Sequence, residues 1–322
     1  MHDDPTGDFH AAILAALGYA PDVIEPDLLH RFTTNGKRGD ASGWCRQFAD
    51  RRAGVFGCFR LGVSEVWTDT PRQRMTPAER AAVQRQVMQA RADRERDQAC
   101  AWRRNADRIA FLWRQCRPVT EGDPVRRYLC RRLAMDDFTT PECIRFHPAM
   151  PYVHDGEGVG TWPAMVAPIV GSDGKVRALH RTYLTPDGRK ADVPGPVKKL
   201  TPAAGLLKGA SIRLHEPRAG ALGVAEGIET ALAASCASGV PTVAAYSAGA
   251  LAGFCWPAGV QRLVIFGDAD RPGREAAEAL RVRASAARLR CEMLTPTTEG
   301  ADWCDVWAAG DAVLIETNEG AA

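Results

Sequence analysis

The 322-residue sequence contains little lysine, since only six of its 41 basic residues are lysines and the rest are arginines. It also lacks an apolar run of the roughly 20 residues that span a bilayer, and its first residues do not form a basic, apolar leader. The Gly-x-x-x-x-Gly-Lys-Ser/Thr loop that holds phosphates in helicase motors does not occur. We therefore expect a soluble, cytoplasmic protein that makes no membrane contact and has no helicase motor in this sequence.

The ten cysteines are scattered, with no Cys-x-x-Cys pair and no Cys/His cluster at zinc-finger spacing. Such cysteines are typical of a reducing compartment, where they act as small buried hydrophobic residues. An alternative is a metal site built from His30, Cys45 and Cys58. We favour the first interpretation and expect no zinc.

Positive charge is concentrated in one segment, although the net charge of the chain is only +2. Residues 70–135 hold 16 arginines and seven acidic residues. A segment with this excess attracts phosphate backbones without sequence preference. The same composition is also compatible with a solvated helix, and the sequence leaves the two interpretations open.

The first two thirds of the chain mix helical and strand-like patterns. The apolar spacing predicts a helix over residues 9–30, and the glycine-punctuated runs of residues 31–68 predict a small antiparallel sheet. Thr76 and Glu79 form a capping-box pattern that begins a helix over residues 76–116. Asp123 begins a second helix that ends near Leu133, and short strands follow over residues 144–215.

The last hundred residues alternate between short apolar strands and helices. This alternation predicts a mostly parallel sheet with helices on both faces. The predicted strands are 222–225, 241–246, 262–267 and 291–295, and the predicted helices are 227–238, 249–253, 273–289 and 303–308.

Three acidic residues follow two of these strands. Glu226 comes directly after the first strand, and Asp268 and Asp270 come directly after the third. Ligands of parallel sheets gather at the carboxyl ends of the strands. Magnesium prefers carboxylates, water and phosphate oxygens, so these side chains predict a divalent metal beside a phosphate group. Glu226 is also a candidate general acid or base, with the aspartates as the main ligands.

The segment from about residue 220 to 308 resembles a Toprim domain, which DnaG-type primases, topoisomerases and some nucleases share. The motifs that carry the resemblance are Val224-Ala-Glu226-Gly, Ser247-Ala-Gly-Ala-Leu251, Phe266-Gly-Asp268-Ala-Asp270-Arg-Pro-Gly-Arg274 and Gly300-Ala-Asp302-Trp-Cys-Asp305. The resemblance implies that Glu226, Asp268 and Asp270 are catalytic and bind Mg²⁺ or Mn²⁺. It adds Asp302 and Asp305 as further metal-associated residues.

The resemblance to primases extends upstream of this segment. The stretches Gly174-Lys-Val-Arg-Ala-Leu-His-Arg181, Lys198-Lys199-Leu-Thr-Pro and Lys208-Gly209 look like the elements that precede Toprim in primases. There, basic residues hold nucleotide and template phosphates, which implies such roles for Arg181, Lys199, Lys208 and Arg274. The alternative is that the lysines are solvent-exposed turn residues.

The N-terminal segment around His30–Trp44 resembles the N-terminal module of primases from phages, plasmids and integrated elements, but it lacks the zinc ligands of bacterial primases. The residues Arg31, Lys37, Arg38, Trp44 and Phe56 are candidates for contacts to a single strand. In the interpretation that we favour, Trp44 and Phe56 instead fill a small β core.

We therefore predict a multi-domain α/β protein. A small α+β module without zinc ligands (1–70) precedes an Arg-rich helical segment (71–135), a β-rich basic subdomain (136–215) and a Toprim-like domain (216–322).

The resemblance implies a primase: a nucleotidyltransferase that copies single-stranded DNA from nucleoside triphosphates and works with a separate replicative helicase. The alternatives are a Toprim-type metal-dependent nuclease and a non-catalytic DNA-binding module. A topoisomerase is less compatible, because no candidate tyrosine domain is evident among the five tyrosines.

Overall fold

The computed structural model describes residues 4–36 and 40–310. The chain divides into two compact units, residues 1–99 and 100–322. The four predicted domain ranges stay predictions. In the described ranges, no helix is both long and apolar enough to cross a membrane.

The N-terminal unit contains an antiparallel sheet in the order β1-β2-β3-β4, one short helix and, up to residue 99, the first part of a long helix. Its elements are α1 (Pro5–Leu17), β1 (His30–Phe32), β2 (Gly43–Gln47), β3 (Ala53–Cys58) and β4 (Val63–Thr68). The sheet begins one residue before the predicted range of 31–68 and otherwise lies within it, because glycines and polar turn residues separate the short strands.

The helix predicted over residues 9–30 is wrong in its extent, since α1 ends at Leu17. Gly18 adopts a left-handed conformation (φ 73°), and its N–H bonds to the Leu14 carbonyl. This is a typical glycine C-cap, and Pro21 beyond it lacks the N–H that a continuing helix would need.

The aromatic residues of the predicted stacking surface are buried in the N-terminal unit. Trp44 is 3% exposed and Phe56 is 2% exposed, so both belong to the core, as we favoured. Lys37 and Arg38 lie outside the described residues. His30 Nε2 forms a hydrogen bond with the Glu25 backbone, as acceptor from its N–H or as donor to its carbonyl according to the tautomer. No metal-binding group of His, Cys, Asp and Glu occurs in the described ranges.

A long helix, α2 (Pro77–Gln115), follows the small sheet as one continuous piece. The predicted capping box is present: Thr76 N–H donates to the Glu79 carboxylate at 2.8 Å, and Glu79 N–H donates to the Thr76 hydroxyl at 3.3 Å. These bonds satisfy donors that a helix start leaves free.

The first part of the C-terminal unit is an antiparallel sheet in the order β5-β6-β7-β8-β9 with one helix beside it. The elements are β5 (Arg117–Pro118), α3 (Pro124–Leu133), β6 (Arg145–His154), β7 (Glu157–Val170), β8 (Val176–Tyr183) and β9 (Lys198–Leu200). The strands β6 and β7 are longer than the short strands that we predicted.

The second part is a parallel sheet in the order β11-β10-β12-β13, which confirms the predicted fold class. Its elements are β10 (Ala221–Ala225), α4 (Ile228–Ser238), β11 (Thr242–Ala244), α5 (Ala248–Ala252), β12 (Arg262–Phe266), α6 (Arg271–Ala286), β13 (Arg290–Leu294) and α7 (Trp303–Ala308). One core cluster contains α4 and α7 and another contains α5 and α6, so helices cover both faces.

The register of this sheet brings two acidic turns together. Strands β10 and β12 are neighbours, with Ala225 opposite Phe266 at their carboxyl ends. Glu226 follows the first of these residues directly, and Asp268 follows the second after one glycine. The parallel pairing therefore places both carboxylates at the same edge of the sheet.

We predict that Gly223→Ala in β10 lowers the free energy of unfolding by about 1–3 kcal/mol. The added Cβ would collide with the Thr242 hydroxyl and lie 2.9 Å from the Phe266 ring, in a region with no free volume. Urea denaturation of the full chain measures this loss.

The matched control is Gly249→Ala in α5, where an added Cβ meets no heavy atom within 4 Å. Because alanine favours helix over glycine, this change should leave stability equal or raise it by up to about 1 kcal/mol. Equal loss from the two substitutions would contradict the packing that we describe.

Candidate functional site

Asp268 lies at the edge of the parallel sheet, where burial and neighbouring carboxylates both disfavour its negative charge. Its Oδ1 atom is buried and has no hydrogen-bond partner among the described residues. Burial raises the pKa of Asp268 to about 7, and the charges of Glu226, Asp302 and Asp270 add to the effect. A buried carboxylate that repels its neighbours is costly unless a positive group compensates it.

Glu226 lies beside Asp268 and is half-buried. Burial raises the pKa of Glu226, as does the Asp270 charge, whereas a hydrogen bond from the Ala248 backbone and the charge of Lys198 act against this. The two strand ends thus hold carboxylates that each favour a nearby cation.

The other predicted acidic residues serve partly as helix caps. Asp270 is exposed and accepts a hydrogen bond from Gly273 N–H at 2.7 Å, at the start of α6. Asp302 and Asp305 form a capping box at the start of α7. Arg132 of α3 lies 3.6 Å from Asp302 and 3.4 Å from Asp305.

One cleft of about 120 Å³ brings part of this group together. Of the five predicted acidic residues, Glu226, Asp268 and Asp302 line it, whereas Asp270 and Asp305 do not. The remaining lining residues, mostly polar or charged, are Tyr128, Arg132, Lys190, Lys198, Gly227, Glu229 and Thr230.

Glu229, three residues after Glu226 in the sequence, is the centre of a buried hydrogen-bond network. It is 3% exposed and accepts hydrogen bonds from the Tyr128 hydroxyl at 2.6 Å and from the Lys198 ammonium at 2.9 Å. Burial raises the pKa of Glu229, but the Lys198 charge and the Tyr128 hydroxyl outweigh burial and lower it to about 2. Glu229 therefore stays ionised and holds Lys198 at the cleft.

Adjacent lysines of β9 point in different directions. The antiparallel register pairs Arg181 of β8 with Lys199, so these two side chains share a face of the sheet, and Lys198 lies on the other. Lys199 donates to the Val153 carbonyl and lies 4.2 Å from the Tyr152 ring centroid. Lys198, which sequence reasoning did not select, is the lysine of this pair that lines the cleft.

The other predicted basic residues also do not line the cleft. Arg181 donates to the Leu200 carbonyl at 2.7 Å, and Lys208 is exposed in the loop between β9 and β10. Arg274, on the first turn of α6, donates to the Ala269 carbonyl at 2.8 Å and pairs with Glu299. Their roles in binding nucleotides or nucleic acid stay predictions.

The donor set fits a divalent cation that prefers oxygen. No group of three His, Cys, Asp or Glu side chains is gathered for a metal in the described part of the chain. Magnesium does not require such a cage, because it usually keeps several waters and binds through one or two carboxylates and substrate phosphates. The unpartnered Oδ1 of Asp268 beside Glu226 supplies that arrangement.

Two signals in the sequence could have identified the missed residues. Glu229 is the only charged residue in the sequence of α4, IETALAASCAS, and a lone charge in an apolar helix indicates a buried partner. Lys198 and Lys199 are consecutive in a strand, so only one of them can face a given side. Arg132 and Tyr128 carry no comparable signal, because α3 lies far from the cleft in sequence.

We predict that Lys198→Ala lowers the free energy of unfolding by about 2 kcal/mol at neutral pH, since it leaves the Glu229 carboxylate buried with its main charge partner removed. Lys199→Ala is the matched control and should cost about 1 kcal/mol or less. Urea denaturation at several pH values measures both.

The pH dependence of the unfolding free energy tests whether Glu229 causes the loss of stability in Lys198→Ala. Because the folded-state pKa of about 2 lies below the ordinary value of 4.5, the stabilisation by Glu229 is present at neutral pH and is lost as the pH falls through this window. The difference in the free energy of unfolding between wild type and Lys198→Ala should therefore narrow between about pH 5 and pH 2. A gap that is constant with pH would rule out this explanation.

Comparison with known proteins places a named domain over the cleft-forming sheet. Residues 221–312 match the Toprim domain family, and residues 103–214 match a family described as a domain of unknown function (DUF7146). None of the curated proteins matches the chain.

Solved structures similar to this chain include three from primases. A DNA primase domain from Pseudomonas aeruginosa is 19% identical with a TM-score of 0.35, and the match covers 50% of this chain and 52% of that one. The primase fragment of the bacteriophage T7 primase-helicase protein is 15% identical with a TM-score of 0.35, and the match covers 56% of this chain and 65% of that one.

The RNA polymerase domain of Mycobacterium tuberculosis primase DnaG is 16% identical with a TM-score of 0.40, and the match covers 68% of this chain and 83% of that one. This chain thus spans about half to two thirds of the first two relatives. Residues 221–312, which match the Toprim domain family, include the parallel sheet and both acidic strand ends.

Proposed function

We propose that this chain is a DNA primase that synthesises short primers on single-stranded DNA for a phage, plasmid or integrated element. The observation that carries the proposal is the buried, unpartnered oxygen of Asp268 in a cleft that Glu226 and Asp302 also line. The Toprim family match and the primase-like lysine elements upstream support it.

Asp268 and Glu226 would hold a Mg²⁺ or Mn²⁺ ion, with Asp302 and Asp270 near enough to contribute charge. When bound, such an ion neutralises triphosphate oxygens and stabilises the charge that develops at the phosphorus.

Basic side chains in the same cleft would bind the triphosphate. Lys198 and Arg132 are each fixed by an acidic partner, Glu229 and Asp302 respectively, so their positive groups are already oriented before substrate arrives. Lys190 is exposed and also lines the cleft. Preorganised cations of this kind lower the reorganisation that phosphoryl transfer requires.

In this proposal the 3′ hydroxyl of the growing primer attacks the α-phosphorus of the incoming nucleotide. The bond to pyrophosphate breaks, and the hydroxyl proton leaves. Glu226 would either accept this proton or serve as a ligand to the cation. In the same proposal, a separate replicative helicase supplies the single-stranded template.

We predict that Glu226→Gln and Asp268→Asn each reduce metal-dependent primer synthesis at least 100-fold, because each removes a negative charge that would hold the divalent cation beside the reacting phosphate. Binding of single-stranded DNA should change by less than about threefold, since neither carboxylate attracts phosphate without a cation. The assay uses a single-stranded template, labelled nucleotides and Mg²⁺ or Mn²⁺.

Glu275→Gln is the matched control, because Glu275 is an exposed carboxylate of α6 that pairs only with Arg271 within the described part of the chain. It should retain full activity. New labelled oligomers from the wild type support the primase, whereas a shortened template would instead mean a nuclease. Primer synthesis that survives both substitutions would refute the proposed centre.

A further inference from the structure

Aromatic rings and arginine side chains form a surface on the N-terminal unit that the proposed centre does not use. Phe59 directly follows β3 and is 60% exposed. The Arg31 guanidinium lies 4.6 Å from the centroid of its ring, and the Trp44 ring lies 6.1 Å away. Arg94 lies 4.2 Å from the Trp44 ring. We call Phe59, Arg31, Arg60 and Arg94 the Phe59 surface, and Trp44 lies buried beside it.

The charge of this surface is not neutralised by its surroundings. Among the described residues, Arg31, Arg60 and Arg94 form no ion pair with a carboxylate, whereas nearby Arg46 pairs with Asp27 at 2.8 Å. Instead, Arg31 donates to the Ala41 carbonyl and Arg60 to the Thr34 carbonyl. This surface thus carries three positive groups that have no carboxylate ion pair among the described residues: Arg31 at the Phe59 ring, Arg60 next to Phe59 in the sequence, and Arg94 at the Trp44 ring. Such a group of charges attracts a polyanion.

A single exposed phenylalanine is common and needs no explanation by itself. The distinguishing feature is its position among unpaired arginines, because positive charge together with accessible aromatic faces is what single-stranded nucleic acid requires. A duplex fits less well, since its bases are stacked on one another and cannot reach Phe59. An acidic peptide would use the arginines but would gain nothing from the ring.

We propose that the Phe59 surface binds single-stranded nucleic acid, with a base stacked on Phe59 and the arginines at the phosphates. A cation over an aromatic ring at an exposed site contributes a factor of about 2–5 in affinity, and stacking of a base contributes a factor of about 5–150. A base therefore displaces Arg31 from the Phe59 ring, and the released guanidinium contacts phosphate. This binding does not require the Toprim centre to be catalytic.

The test measures affinity rather than catalysis, so that it is independent of the proposed primase activity. Full-length protein is titrated into a fluorescein-labelled oligothymidylate of about 12 nucleotides, with EDTA present and without nucleoside triphosphates, and anisotropy gives the Kd. We expect Phe59→Leu to weaken binding about fivefold or more, and Phe59→Tyr to stay within about twofold of the wild type, because tyrosine stacks and leucine does not.

Phe111→Leu is the matched control, since Phe111 is a 53% exposed phenylalanine of α2 in the other unit. It should leave the Kd unchanged. Circular dichroism melting confirms that all variants are folded. The stacking role is overturned if Phe59→Leu binds within twofold of the wild type, if Phe59→Tyr is as weak as Phe59→Leu, or if Phe111→Leu causes the same loss.

The salt dependence tests the arginines separately. Each phosphate contact to a single strand contributes about 0.7 to the slope of log Kd against log salt concentration. Arg31→Gln and Arg94→Gln should each lower this slope by about that amount. Arg91→Gln, which removes an exposed arginine already paired with Glu95, should not. Slopes that are identical in all four proteins would overturn the phosphate contacts.

Discussion

Two like-charged carboxylates, Glu226 and Asp268, share one half-buried edge because the strands that precede them are hydrogen-bonded neighbours. The chain cannot relieve this repulsion by a local change, because Ala225 and Phe266 are fixed by the register of the sheet and by the cores on both of its faces. Folding therefore concentrates negative charge at one place. In the proposed function, this negative charge binds a divalent cation beside a triphosphate.

The positive side chains of the cleft come from outside the parallel sheet. Lys198 belongs to the antiparallel sheet, and Arg132 belongs to the helix beside it, yet each is fixed by an acidic residue of the Toprim domain. Glu229 is buried and accepts hydrogen bonds from both Tyr128 and Lys198, so its carboxylate fixes the position of Lys198. The two parts of the C-terminal unit thus share one site.

Much of this architecture follows from local signals in the sequence. The alternation of strands and helices after residue 220 predicts the parallel sheet, and the rule that ligands gather at strand ends predicts the position of Glu226 and Asp268. The capping box at Thr76 and the start signal at Asp123 are also local features of the sequence, and α2 and α3 begin where these signals predict. The first helix was extended too far because the apolar spacing continues beyond Gly18, although the left-handed cap and the later prolines end it.

The parts that could not be predicted depend on register and on distant contacts. Which of two adjacent lysines faces the cleft is decided by the pairing of Lys199 with Arg181, and no pattern within β9 determines that pairing. Arg132 contacts residues about 170 positions later in the chain. The exposure of Phe59 and the burial of Phe56 likewise follow from where β3 ends, at Cys58, which alternation alone does not fix.

The central claim is that the Asp268 carboxylate is a ligand of a divalent cation. Crystals soaked in Mn²⁺ and measured at the manganese absorption edge test it directly, because the anomalous signal locates the ion independently of activity. We predict one strong peak at ligand distance, about 2 Å, from Asp268 Oδ1 and near Glu226. A saturating soak that yields no peak in the cleft, or peaks only at other carboxylates, would contradict the account.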